Sequence, residues 1–344
     1  MNGLERTMAI VSGNSTDRSP YVLLLSLYGA KYINTSFEKY YRNPEVWFEG
    51  QKVTIDKFDP DIITSPFAFP LEAEAFGSQV TFPENYAPNI KKPLIKELSE
   101  ISNLKLPDLN HPSLKFLIDT VELLVSNYKG DKAIAALFFS PCDFPALLLG
   151  IEKWVDTLLF HPESVKALMH ITIPHFVRMA NLSLEKGATF VVTTANFINP
   201  DIVTDKIFKE IKPFLIKAFE QIKGPLVIHH GGCRMGKFAK YYAELPNVIG
   251  LVIDPRDGLL ETRTLINKQT VILGNLDGPG IEKLDKDVLR KKCDTILHFM
   301  QYDPHFIFAT SNADIGINTP EHKLDTIIKI IRQFRLKNKD FDKK

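Results

Sequence analysis

The sequence predicts an α/β fold, a (β/α)₈ TIM barrel with extra N-terminal helices and a proline-rich excursion. Three observations predict it: eight short apolar runs rich in β-branched residues, helix-length amphipathic segments between most of them, and polar or glycine-rich residues directly after them. The apolar runs read as buried parallel strands over 21–25, 61–64, 133–139, 189–194, 226–229, 248–253, 270–273 and 306–309. A doubly wound open sheet is the alternative for the same pattern. The segment 162–184 carries apolar residues at three-to-four spacing behind Pro162 and Glu163, so it reads as a helix that Pro174 kinks or splits. Segments 202–222, 286–300 and 320–334 read as helices too, the last with Thr319 as N-cap and Pro320 at the first helical position.

Two stretches depart from the plain repeat. Residues 35–58 read as additional helix. Residues 77–112 contain Pro83, Pro88, Pro93, Pro107 and Pro112, which predicts an ordered excursion over the barrel mouth. The expected organisation is one barrel domain over 1–344, with helical additions within 1–58 and a frayed, charged tail at 337–344.

Composition bounds the partners. Of the 344 residues 44% are hydrophobic, and 42 basic residues against 41 acidic ones give a net charge of +1. That balance offers no basic excess for nucleic acid and no polybasic patch for a membrane surface. Cys142, Cys233 and Cys293 are too few for a disulfide framework and fit a reducing, cytoplasmic setting. The longest apolar-rich run, 21–28, is too short to span a bilayer and lacks the cleavage pattern of a signal peptide.

In a barrel of this kind chemistry gathers where the strands end. Those positions hold Ser65-Pro66, Ser140-Pro141-Cys142-Asp143, Ala195-Asn196, His229-His230-Gly231-Gly232-Cys233, Asp254-Pro255-Arg256-Asp257, Gly274-Asn275-Leu276-Asp277-Gly278 and Ser311-Asn312-Ala313-Asp314. The histidine pair reads either as a metal or catalytic-imidazole site or as a strand end followed by a Gly-Gly turn. Asp254 and Asp257 either position substrate as acid and base or begin an Asp-Pro turn. Asn275 and Asp277 either bind a ligand or form a tight turn. Cys142 reads as a buried filler or a pocket thiol, and Cys293 as core. The Walker, HExxH and GxSxG patterns do not occur.

Taken in order, Leu4-Glu5-Arg6, Asp17-Arg18-Ser19-Pro20, Leu71 to Gly77, Gly150, Gly187-Ala188, Pro225 to His229, Leu273 to Asp277 and Gly316 to Pro320 resemble the uroporphyrinogen decarboxylase superfamily nearly end to end. That superfamily also holds the corrinoid-dependent methyltransferases, and its fold is a (β/α)₈ barrel. The resemblance leans to the methyltransferase branch. Where the decarboxylases carry an arginine-rich segment for substrate carboxylates, this sequence has Ser26 to Tyr32, with Leu27 and Lys31 in place of arginines. Their aspartate falls near Thr64-Ser65-Pro66, where no carboxylate is present. Thiol-methylating members bind zinc through a His-x-Cys pair and a distant cysteine. Here His229 matches the histidine, but Gly231 and Ala313 stand at the cysteine positions, and only Cys233, two residues late, is a nearby thiol.

The resemblance therefore implies a methyltransferase working between a small methylated donor and a corrinoid (cobalamin) on a separate corrinoid-binding protein. His229, His230 and Asp254 are its expected catalytic residues, with His229 and Cys233 as candidate zinc ligands. Asn196, Asn275, Asp277, Asn312, Asp314, Glu72 and Glu74 are expected to bind substrate. The rival readings are a decarboxylase or lyase that uses Lys31 to hold another acid, and a ligand-binding barrel that has lost its metal.

Overall fold

The computed structural model describes residues 1–335; the frayed tail expected at 337–344 lies outside them. Eight parallel strands form the barrel: β1 (Tyr21–Val22), β2 (Ile62–Thr64), β5 (Ala133–Leu137), β6 (Phe190–Thr194), β7 (Leu226–His229), β8 (Val248–Val252), β9 (Val271–Asp277) and β10 (Phe306–Ser311). Their spatial order is β1-β10-β9-β8-β7-β6-β5-β2, each bonded to its neighbour. All eight predicted strands are present, and the open-sheet alternative is not adopted.

Each strand is buried on both faces, which is why it reads as a continuous apolar run. Side chains alternate along it. Leu226 and Ile228 join the outer core against the helices, whereas Val227 joins the inner cluster with Ala135, Leu137, Phe190, Val252, Leu273 and Ala309. By the same alternation His229, the last residue of β7, lies on the inner face.

The seam between β1 and β2 is closed by Asp61. Its N–H donates to the Tyr21 carbonyl at 3.0 Å, and its own carbonyl accepts from Ala133 N at 3.1 Å. Its carboxylate, 1% exposed, accepts from Arg6 Nη1 and Arg18 Nη1, each at 2.6 Å, and from Tyr21 N at 2.9 Å. One carboxylate thus ties the first helix (Gly3–Val11), the lead-in to β1 and the start of β2 at the N-terminal end of the barrel.

The N-terminal additions are helical but broken. The predicted segment 35–58 divides into Phe37–Tyr40 and Pro44–Phe58 because Asn43 caps a new start, accepting from Val46 N at 2.8 Å, with Pro44 behind it. The longer helix crosses Tyr28–Tyr32 at Gly29 and Gly50. A Cβ on Gly50 would sit 2.5 Å from the Gly29 carbonyl oxygen, so this crossing requires glycine.

The proline-rich stretch is ordered, with a small hairpin of β3 (Gln79–Thr81) and β4 (Asn89–Lys92) and a 3₁₀ turn at Leu98–Asn103. It is held through Ser78 Oγ on the Leu147 carbonyl, Ile95 N on the Leu148 carbonyl and Arg178 Nη2 on the Pro107 carbonyl, and contributes no residue to the cavity inside the barrel.

Two helix expectations are corrected. The helix Pro162–Lys186 continues through Pro174 rather than splitting. The final helix begins at Glu321 with Pro320 as its N-cap, and Thr319 makes no capping bond. Thr319 is instead held in the preceding turn, its N–H on the Gly316 carbonyl and its own carbonyl accepting from the Tyr28 hydroxyl.

Removing the Asp61 charge leaves two buried guanidiniums without their shared anion. Asp61→Asn is therefore expected to lower unfolding free energy by about 3–5 kcal/mol, read as a drop in the urea midpoint against wild type. An unchanged midpoint would show that the seam does not depend on this carboxylate.

Candidate active site at the strand ends

Inside the barrel, running up to the C-terminal ends of the strands, lies a cavity of about 40 Å³. Phe67, Phe69, Leu137, Val227, Val252 and His229 are among its lining residues, and no lysine, arginine, aspartate or glutamate lines it. Two threonine hydroxyls at its wall are engaged: Thr194 donates to Asp143, and Thr310 accepts from Leu24 N at 2.9 Å.

His229 is buried, and its Nδ1 accepts the Gly231 N–H at 2.9 Å. The proton therefore sits on Nε2, which has no hydrogen-bond partner. Burial, reinforced by the neighbouring His230 and opposed by Asp254, holds the ring's pKa well below the usual histidine value, so it is neutral. Gly231 turns the chain at φ +67°, and a Cβ there would lie 2.9 Å from the Asn196 Cα. The turn that supplies this N–H thus leaves no room for a side chain.

His230 stacks on His229 with ring centroids 4.6 Å apart but faces a different set of partners. Asn312 N donates to its Nε2 at 3.0 Å, which leaves the proton on Nδ1, 3.1 Å from Asp254 Oδ2 and 3.2 Å from the Cys233 carbonyl. The Asp254 carboxylate, rather than the Gly232 N–H also 3.1 Å away, decides that protonation. Asp254 is fully buried. Burial alone would raise its pKa, but the Arg256 side chain (2.7 and 2.8 Å), His230 and the Arg256 N–H outweigh it and hold the carboxyl well below the usual range. Asp254 is thus a permanent anion that fixes His230, and His230 in turn fixes the turn after β10.

The other sequence candidates, Asp314 apart, fall into five groups. Asn275 donates its amide to the Asp254 and Asp257 carbonyls, both at 3.0 Å. Asn312, at φ +73°, donates its amide to Asp277 Oδ1 at 2.7 Å. Asn196 accepts from Cys233 Sγ at 3.5 Å. Glu72 is buried, accepting from Phe139 N at 3.0 Å and lying 3.1 Å from His175 Nε2. Glu74 belongs to a separate cluster with Arg42 and Ser113, tying the helices together. It is not brought to the cavity.

Two features were not singled out from the sequence. Asp143 is fully buried and accepts from Asn196 N and Phe197 N, both at 2.8 Å, which sets the turn after β6; burial outweighs these bonds and raises its pKa. His175 stands between Phe144 and Phe76, on a helix far along the chain from Glu72. Asp143 follows a strand and was legible by position, whereas His175 had no signal.

Asp314 differs from the other acids. Its Oδ1 accepts only from Ser26 N at 3.1 Å, and its buried Oδ2 has no partner. Burial pushes its carboxyl up to about 7, so it carries a proton through the mildly acidic range.

The uroporphyrinogen decarboxylase (URO-D) family model matches residues 2–334. The chain belongs to that family. Among solved structures, a methyltransferase from Methanosarcina mazei aligns with a TM-score of 0.85 at 15% identity, covering 97% of this chain and 99% of its own. A protein assigned as a vitamin-B12-independent methionine synthase from Listeria monocytogenes aligns at 0.52 and 11% identity, covering 92% and 95%. At these identities the likeness is one of fold. No curated protein matches the chain.

The zinc site that the superfamily resemblance implies does not fit the residues present. His229 spends the Nδ1 lone pair on Gly231 and bears a proton on Nε2. Gly231 cannot become a ligand without a clash with Asn196. Cys233 is turned to Asn196, and burial raises its thiol pKa, opposite to the thiolate a metal needs. Among the described residues no three His, Cys, Asp or Glu side chains stand together as a metal site. Lys31 does not await an acid either: its Nζ lies 3.3 Å from the Ile317 carbonyl and over the Tyr28 ring.

Asp314 gives a pH signature. Because its folded pKa exceeds its unfolded value of 3.8, the folded state holds the proton more tightly, and stability falls as pH rises from about 4 to about 7. Asp314→Asn is expected to remove that slope. Its stability relative to wild type should improve by at most about 4 kcal/mol between pH 4 and pH 8, read from urea midpoints. Parallel pH profiles for the two proteins would refute the assignment.

Proposed function

We propose that this chain transfers a methyl group from a small methylated donor to a corrinoid carried by a separate corrinoid-binding protein. The observation that carries the reading is the uncharged wall of the barrel cavity. A decarboxylase of the family's polycarboxylate type needs cations to hold its substrate. Here Arg256 is bound to Asp254, Arg234 to Asp257, and Lys31 to a backbone carbonyl. The fold is shared with the M. mazei methyltransferase, which agrees with this reading.

A reduced corrinoid, when presented, supplies a strong nucleophile for the methyl carbon. The chain's own residues do the rest. As the bond from methyl carbon to the leaving heteroatom breaks, the electron pair stays on that heteroatom, and in this reading the His229 Nε2–H is the donor that meets it. Asp254 and His230 keep the turns after β7, β8 and β10 in register, so His229 holds its direction. Asn196, Asn275, Asp277 and Asn312 brace the rim around it. The open strand ends are where a corrinoid-bearing partner would dock.

The test is spectroscopic. Protein mixed with cob(I)alamin and a panel of methoxylated and methylamine donors should convert cob(I)alamin to methylcobalamin, with the rate reduced at least tenfold in His229→Asn, by roughly the loss of one directed donor. No methylcobalamin across the panel, together with CO₂ release from a carboxylated substrate, would replace this reading by a lyase.

A further inference from the structure

Outside the barrel, the helices Pro162–Lys186 and Asp205–Phe219 pack side by side, and between them lies a groove of about 490 Å³. That volume falls in the range of about 300–1,000 Å³ that small-molecule sites take. The groove shares no residue with the cavity inside the barrel. Along the first helix its wall runs from Met169 to Glu185, about 24 Å at about 1.5 Å per residue. The wall changes character midway. Toward Met169 it is mostly apolar, with Ile173, Pro174 and Val177, and Leu109 of the proline-rich stretch joins them. Toward Glu185 it is mostly polar, and Arg178 stands at the boundary.

Arg178 is held by one bond and left short of others. Its Nη2 donates to the Pro107 carbonyl at 2.7 Å, and its Nε is buried with no partner. Burial lowers the guanidinium's pKa, and Asp108, acting through space without an ion pair, offsets this only in part. Taking a guanidinium out of water costs free energy that one carbonyl dipole returns only in part. Nη1 is the guanidinium nitrogen that is neither buried nor bonded. The rest of the wall does not neutralise this charge. Glu185 is bound by Lys223 at 3.0 Å, and Asn181 is spent on the Gln221 carbonyl and the Lys223 N–H. Lys217, exposed and lining the same groove, adds a second cation.

We propose that the groove is a binding site for an amphiphilic oxyanion, a carboxylate or phosphate on an apolar body. The oxyanion takes Arg178 Nη1, Lys217 adds attraction, and the apolar body lies along Ile173, Pro174 and Val177. The proline-rich stretch thereby has a role away from the barrel mouth: the Pro107 carbonyl steadies the guanidinium by one nitrogen and leaves another for the ligand.

Octanoate, octyl phosphate and octanol are titrated into the full-length protein and followed by calorimetry. Either anion is expected to bind at least about tenfold tighter than octanol, the gain of one hydrogen bond to a charged group. The tighter of the two anions names the oxyanion. Arg178→Met keeps an apolar stem and removes the guanidinium, so it should bring both anions to the level of octanol and leave octanol within about twofold. Lys217→Gln should weaken the anions about two- to threefold and leave octanol unchanged. Val177→Trp fills the groove and should abolish binding of all three.

Equal affinity of wild type for octanoate and octanol would overturn the proposal, as would no saturable binding below about 10 mM. So would an anion preference that survives in a folded Arg178→Met protein. A wild-type dimer that Val177→Trp turns into a monomer in sedimentation would give the groove to a second copy of the chain and overturn it too. The wild-type comparison and Lys217→Gln decide the matter even if Arg178→Met, which loses the bond to Pro107, fails to fold. No methyl donor or corrinoid enters the experiment, so its outcome is independent of the methyl-transfer reading.

Discussion

The barrel depends on one buried carboxylate. Asp61 stands at the seam where the first and last strands of the spatial order meet, and it holds two guanidiniums and a backbone N–H while its own main chain bridges to Tyr21 and Ala133. A parallel barrel is stable only if its sheet closes, because an open edge would leave backbone groups unpaired in an apolar setting. Here β1 is only two residues long, so side-chain bonding supplies what the short ladder lacks. With the N-terminal end locked in this way, the opposite end is free to carry irregular turns.

Those turns use charge internally. Asp254 binds Arg256 and His230, Asp257 binds Arg234 and the Met235 amide, Asp143 binds two amides, and Glu72 binds an amide and His175. Each of these side chains is a scaffold group whose bonds hold a neighbouring segment in place. The consequence is a cavity whose lining carries no charged side chain. The polar richness of the strand ends is therefore consistent with an apolar ligand, since nearly all of that polarity is turned on itself.

Much of this was legible in the sequence. Strands buried on both faces must be apolar throughout, so 133–137 and 248–252 announced themselves, and the turns after them had to be polar. The helix Lys286–Met300 was read to its ends because its periodicity is unbroken. The breaks were less visible: Asn43-Pro44 divides a segment whose periodicity suggests one helix, and Pro174 does not divide a helix where the residue type suggests it should. The site residues were found by position after strands, which placed His229, His230, Asp254, Asn275, Asn312 and Asp314 in one region. Position could not say which would face the cavity.

The sequence by itself determined the barrel, the family and the region where chemistry would lie, because all three follow from periodicity and from residue order along the chain. Only the tertiary structure decided what the groups at that region do. Whether a histidine is donor, ligand or brace depends on which lone pair its neighbours occupy, and those neighbours come from distant turns: Asn312 for His230, and a glycine wedged against Asn196 for His229. Adjacent in sequence and stacked in space, the two rings have opposite tautomers because alternation along β7 sends them to different partners.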